Sequence, residues 1–119
     1  RQAEQAAQQA REQELLSALE EERSASEIDR YVAAIDDRVR SVWVRPVGSR
    51  PDNSCTVEVR LIPGGEIVAG SARIIRSSGN GPFDRSVVAA VYKASPLPVP
   101  SGRLFDHFRE LRFEFKAGN

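Results

Sequence analysis

The sequence has one cysteine and one histidine in 119 residues. A single cysteine excludes an internal disulfide and any multi-cysteine zinc site. A single histidine disfavours a histidine-rich metal or catalytic cluster. No apolar run approaches the roughly 18 residues that a membrane-spanning helix needs, and no signal-peptide pattern is present. We therefore expect no metal, no cofactor and no membrane span within this segment.

The sequence also has no net charge, because 17 basic residues balance 17 acidic ones. Composition therefore does not favour nucleic acid or an anionic membrane as a partner. The balance hides an asymmetry: residues 1–27 carry three basic and seven acidic side chains, whereas residues 28–119 carry fourteen and ten. Since the chain starts at Arg1, inside a helix-rich sequence, we expect it to be a piece of a longer protein.

Residues 1–23 are dominated by the strong helix formers Ala, Glu, Gln, Arg and Leu, without proline, glycine or β-branched residues. Their apolar content is mostly alanine, which is typical of a long helical spacer. We predict that residues 1–27 are the end of a helical stalk. The run Ser24–Glu27 fits either a capping box or the interior of one continuous helix with a kink, and we predict continuous helix.

Apolar residues then recur every three or four positions from Ile28 to Val42, which predicts an amphipathic helix through Val44 that Pro46 ends. Alternating residues predict a half-buried strand over 55–62, with Cys55 on its inward face. The run Pro63–Glu66 predicts a tight hairpin turn, because its two glycines can adopt the positive φ such turns need. Residues 66–76 are predicted as the returning strand, with a possible bulge at Gly70.

A second amphipathic helix is predicted over Phe83–Ala94, followed by an extended proline-rich connector and a helical turn over 104–108. The last strand alternates cleanly: Leu111, Phe113 and Phe115 face in, and Arg112, Glu114 and Lys116 face out. The order predicts an α+β two-layer sandwich, in which helices pack on one face of a three-stranded antiparallel sheet. This globular interaction domain would cover residues 28–119, behind the stalk.

Four segments together resemble the C-terminal domains of the TonB/TolA group. They are Pro63–Ile67, Ala72–Gly79, Phe83–Val91 and Pro96–Pro100, and the closing strand Leu111–Phe115 fits as well. The helical stalk and the helix Ile28–Val44 are more similar to the TolA branch, since TonB proteins usually carry a proline-rich spacer. Some TolA domains pair two cysteines, the first on the strand that matches Cys55; this chain offers no second cysteine.

The resemblance implies a periplasmic, non-enzymatic interaction domain, monomeric and anchored in the inner membrane by a segment outside this chain. It implies work in the Tol-Pal system, which links the TolQ–TolR motor to the outer membrane for envelope integrity and cell division. The implied partners are TolB, Pal, colicin translocation domains and the tip protein of filamentous phage. The alternative from the same group is a TonB-like energy-transducing domain that contacts outer-membrane transporters.

The remaining candidate residues favour structural roles. Cys55 is interpreted as a small buried hydrophobe. His107, Asp106 and Ser101 are close in sequence but show no nucleophile-elbow motif, so a surface histidine is the preferred interpretation. Phe113 and Phe115 share the inward face with Leu111, which disfavours a nucleic-acid-stacking role. A small hydrolase or nucleic-acid-binding domain is the rival function, and salt-sensitive nucleic-acid binding would favour it.

The closing strand is a plausible sheet edge, because it follows a long crossover and ends the chain. An edge strand carries unpaired N–H and C=O groups that an extended peptide can use. We therefore predict partner binding by β-augmentation at Leu111, Arg112, Phe113, Glu114, Phe115 and Lys116. The second hairpin strand, residues 66–76, is the alternative edge.

Overall fold

The structure is a computed structural model and describes residues 1–118. By their internal contacts the residues form two compact units, Arg1–Arg30 and Tyr31–Asn119. The elements, in chain order, are α1 Gln2–Val42, β1 Ser54–Arg60, β2 Arg73–Arg76, α2 Gly81–Ala94, the 3-10 helix Gly102–Phe108 and β3 Glu110–Lys116.

Helix α1 continues through Ser24–Glu27, so the predicted continuous helix is confirmed and no cap interrupts it. Residues 1–23 are all exposed, as expected for a helix whose apolar content is mainly alanine. Farther along, Ile35 and Val39 are buried. The helix ends at Val42, two residues before the predicted end at Val44.

The sheet has the order β2-β1-β3, and both pairs of strands are antiparallel. The predicted alternation is confirmed: the odd-numbered residues of β1 and β3 are buried, and the even-numbered ones lie on the outer face. Helix α2 adds Phe83, Val87, Val91 and Ala94 to the core. The predicted α+β fold with a three-stranded antiparallel sheet is therefore confirmed.

The returning strand is much shorter than the predicted range 66–76, since β2 covers only Arg73–Arg76. A turn interrupts it: Ser71 N donates to Val68 O at 3.1 Å, and Gly70 has a φ of +73°. Before this turn only an isolated bridge between Leu61 and Ile67 remains. A further irregularity lies between Thr56 and Val57 in the pairing of β1 with β2. The turn at Gly70 thus interrupts the pairing between Ile67 and Arg73, where a continuous strand was predicted.

A buried carboxylate holds the start of α2 in place. Asp84 is 9% exposed and accepts hydrogen bonds from Ser77 Oγ, from Ser78 N at 3.1 Å and from Ser78 Oγ at 2.7 Å. Burial raises the pKa of Asp84, but the hydrogen bonds from both serines outweigh it and the net pKa is lowered. Asn80 caps the helix by accepting from Phe83 N.

Cys55 is buried on the inward face of β1, as predicted. Burial, together with the carboxylates of Asp84 and Glu114, raises the pKa of the thiol to about 12. Because the thiolate is the reactive form, the thiol is expected to react with a maleimide far more slowly in native buffer than in urea. Mass spectrometry of timed samples would check this. Equal rates in the two conditions would show that the inward face of β1 is open to solvent.

Candidate functional site

Among residues 1–118, strand β3 has a partner strand on only one side of its backbone. Leu61 N donates to Arg109 O and Ala117 N donates to Asn53 O, both at 2.9 Å. These two bonds lie at the two ends of the ladder between β1 and β3, and hydrogen-bonded pairs alternate along an antiparallel ladder. The N–H and C=O groups of residues 111, 113 and 115 therefore face β1. The backbone groups of Glu110, Arg112, Glu114 and Lys116 therefore point to the free edge. A protein edge of this kind is a template for an added strand.

Arg40 closes the carboxyl end of this free edge, and Arg45 binds the residue that follows the strand. Arg40 Nη1 donates to Lys116 O at 3.0 Å, and Arg45 Nη2 donates to Ala117 O at 3.0 Å. Arg40 also pairs with Asp36 at 3.3 Å, and its guanidinium carbon lies 4.5 Å from the centre of the Phe115 ring. The open part of the edge therefore extends from Glu110 to Glu114, with the N–H of Lys116 beyond it.

The outer face of the sheet carries an ion-pair network centred on β1. Glu58 pairs with Arg73 of β2 at 2.6 Å and with Arg112 of β3 at 2.7 Å. Hydrogen bonds from Arg73 and then Arg112 lower the pKa of the Glu58 carboxyl. The side chain of Glu58 is 15% exposed, while both arginines are about two-thirds exposed. The network links all three strands across the outer face of the sheet.

The opposite edge, that of β2, offers less open backbone. The strand has only four residues, against seven in β3. Ala72 N, just before the strand, donates to Tyr92 Oη of α2 at 3.0 Å. Ser71 Oγ lies within hydrogen-bond distance of both Arg60 N and Arg60 O. The backbone at the entrance to β2 is thus bound to helix α2, and the loop before it is bound to β1.

The other candidate residues from the sequence, Ser101, Asp106 and His107, lie on the surface. His107 and Asp106 are exposed in the 3-10 helix, and Asp106 pairs with Arg109 at 2.9 Å. Within residues 1–118, no three His, Cys, Asp or Glu side chains are grouped as metal ligands. In the same range, no helix has both the length and the apolar character needed to span a bilayer.

All six predicted edge residues, Leu111 to Lys116, lie in β3, and β3 is an edge strand as predicted. Their role in partner binding stays a prediction. Sequence reasoning missed Arg40 and Tyr92, because each reaches a backbone atom far away in the chain. No local pattern signals such contacts.

Comparison with known protein families matches residues 28–115 to the family described as TonB C terminal. The chain belongs to the TonB C-terminal family. The matched range starts in α1 and ends one residue before the end of β3. It is a family of interaction domains, not of enzymes.

Within this TonB C-terminal family the similarity is to TolA. The Tol-Pal system protein TolA of Pseudomonas aeruginosa is 35% identical over 82 residues, which are 66% of this chain and 23% of that protein. The chain thus matches less than a quarter of that relative's length. In a solution NMR structure, TolAIII is bound to a peptide derived from the N-terminus of TolB. This TolAIII is 34% identical to the chain and superposes on it with a TM-score of 0.64. The match covers 74% of this chain and 73% of TolAIII.

A second solved structure, of a TolA C-terminal domain, has a TM-score of 0.56 at 20% identity and covers 76% of this chain and 89% of that one. At this identity it supports the fold alone. The resemblance to the TonB/TolA group, and to its TolA branch, is confirmed by these comparisons.

Proposed function

We propose that this chain is a non-catalytic interaction domain of a Tol-Pal system, and that it binds an extended segment of TolB along the free edge of β3. The observation that carries the proposal is the open backbone from Glu110 to Glu114 on a seven-residue edge strand. The relative that was solved with a TolB-derived peptide supports the choice of partner.

The physical basis of binding is backbone pairing. An added strand would hydrogen-bond to the outward N–H and C=O groups of Glu110, Arg112 and Glu114. Its side chains would continue the alternation of the sheet, apolar beside Leu111 and Phe113 and polar beside the outer charges. Because most of the affinity comes from backbone groups, partners of unrelated sequence can share the edge. Pal, colicins and the phage tip protein are proposed as further partners on this ground.

We also propose that residues 1–27 are the end of a helical stalk that carries residues 28–119. All side chains of residues 1–23 are exposed. We expect that deleting residues 1–23 changes the free energy of unfolding of the remaining chain by less than about 1 kcal/mol, since exposed side chains contribute little. Urea unfolding of both chains tests this. A loss of several kcal/mol would mean that this segment stabilises the domain.

We also propose that the chain is periplasmic and part of an inner-membrane-anchored protein whose anchor lies outside this chain.

Binding along β3 is tested by hydrogen exchange with a synthetic peptide of a TolB N-terminal sequence. Binding is expected to slow amide exchange at Arg112 and Glu114, whose N–H groups are otherwise open. Protection confined to Arg73–Arg76 would move the site to the alternative edge, and protection confined to α1 or α2 would overturn strand addition.

Two variants at Glu114 sharpen this test. Glu114→Pro removes an outward N–H and adds a ring on the free side, while the ladder to β1 keeps its donors. We expect affinity for the TolB peptide to fall tenfold or more, because a lost hydrogen bond costs about 1.4 kcal/mol or more. Glu114→Gln keeps the N–H and is the matched control, with an expected change below about threefold. Equal binding by both variants would contradict the proposed use of this edge.

A further inference from the structure

The outward side chains along the free edge of β3 alternate in charge. Glu110, Arg112, Glu114 and Lys116 follow one another on the outer face of the sheet in the order acidic, basic, acidic, basic. The open part of this edge extends from Glu110 to Glu114, so Arg112 is its one basic side chain. A residue of an added strand that lies directly across from Arg112 would have its Cβ about 4.5–5.5 Å away, on the same face. The edge therefore offers a partner charges as well as backbone groups.

Arg112 is the charge in this open stretch that its own sheet does not balance. Glu58 carries one negative charge and pairs with two guanidiniums, those of Arg73 and Arg112. The two glutamates of the stretch, in contrast, each pair with one basic side chain. Arg112 reaches Glu58 through Nε, and its side chain is 67% exposed. Because a guanidinium carries five N–H donors, further donors of Arg112 remain for a carboxylate from outside.

We propose that Arg112 fixes the register of the added strand by binding an Asp or Glu side chain on the outer face of that strand. This inference rests on the proposed binding along the free edge of β3. It specifies one residue type at one position of the partner. The remaining positions are left to backbone pairing, which places few demands on sequence.

Each shifted register sets the same acidic side chain in a poorer environment. A slip by one or three residues turns it to the apolar inner face. A slip by two sets it across from Glu110 or Glu114, and like charges directly opposite each other are destabilising. A slip by four leaves the open stretch: towards the carboxyl end the side chain would reach Lys116, whose carbonyl already accepts from Arg40 Nη1 at 3.0 Å. An acidic side chain across from Arg112 thus selects a single register.

Three synthetic peptides that differ in one residue test the proposal on the whole chain. Each has a core of seven residues, as long as β3, in which valine and threonine alternate around a central Glu, Gln or Lys. Glycine–serine tails and blocked ends leave the central residue as the only possible charge, and the core reads the same in both directions. We expect affinity to fall in the order Glu, Gln, Lys, with about fivefold between Glu and Lys, since a like-charge pair replaces a favourable one. Backbone NMR titration at low salt measures the affinities, because salt screens an exposed pair.

Matched variants of the chain separate the register from binding itself. Arg112→Gln should bring the three peptides within about twofold of one another. Arg76→Gln removes the same charge from an exposed position on β2, across the sheet from this edge, and should keep the order. Equal affinities of the three peptides for the natural chain, or an unchanged order with Arg112→Gln, would overturn the register proposal and leave strand addition standing. Failure of all three peptides to shift the amide resonances of β3 would also overturn it, whereas failure of the TolB peptide there would overturn the proposed function.

Discussion

Gly65→Ala is expected to destabilise the domain by about 3–5 kcal/mol, a large part of the 5–15 kcal/mol typical of a domain. Gly65 has a φ of +94°, which costs an L-residue with a side chain about 1–2 kcal/mol. A Cβ at this position would lie 1.9 Å from Leu97 O. Relieving that clash moves packed backbone, at about 1–3 kcal/mol. It also strains the 2.8 Å bond from Leu97 N to Gly65 O, worth about 1 kcal/mol.

Gly64→Ala is the matched control for this substitution. Gly64 has nearly the same φ, +100°, but a Cβ there meets no atom within 4 Å. It should therefore show only the conformational cost of about 1–2 kcal/mol. Urea unfolding of both variants measures the difference. Equal midpoints would show that the contact between the hairpin turn and Leu97 does not stabilise the fold.

Phe115→Ala is expected to lower the free energy of unfolding by about 3–5 kcal/mol, because it leaves a cavity in the core. Phe115 is fully buried, and the Trp43 ring lies 5.1 Å away at 69°, edge to face. Such aromatic pairs add about 0.5–1.5 kcal/mol beyond their buried area. Trp43 is the single tryptophan, so its fluorescence follows the unfolding of this region directly.

The neighbouring Lys116→Ala serves as the control for Phe115. Its side chain is 67% exposed and forms only a surface pair with Glu114 at 3.4 Å, so a change below about 1 kcal/mol is expected. If Phe115→Ala lowers the free energy of unfolding no more than Lys116→Ala does, the core repacks around the missing ring.

Strict alternation made β1 and β3 predictable from sequence. Side chains of opposite character occupy opposite faces, so a register shift by one residue would expose Phe113 and Phe115. The helix Phe83–Ala94 was predictable for a similar reason, since Phe83, Val87 and Val91 recur at helical spacing and all are buried. It begins at Gly81, one residue before Pro82, which suits the first helical position, and Asn80 supplies the cap.

The extent of the returning strand was predicted wrongly from the sequence pattern. Residues 66–76 contain enough β-branched residues to predict a strand throughout. The chain turns instead at Val68–Ser71, where Gly70 takes a positive φ and Ser71 Oγ, in place of a strand carbonyl, accepts from Arg60 N. The candidate site was predictable as an edge strand but not in its extent. Its carboxyl end is closed by Arg40, and a contact across 76 residues leaves no trace in local sequence.

The arginine contacts at the end of β3 also decide how a mechanical load would pass through the domain. Arg40 and Arg45 join the last turn of α1 and the residues after it to Lys116 and Ala117. Tension on that part of the helix therefore enters the sheet at one end of its edge strand. Where a partner strand lies along the same edge and is pulled parallel to the strands, the ladder is loaded in shear. Its hydrogen bonds then share the force and fail together, whereas peeling would break them one by one. A short pairing that exchanges readily at rest can thus hold while it is pulled.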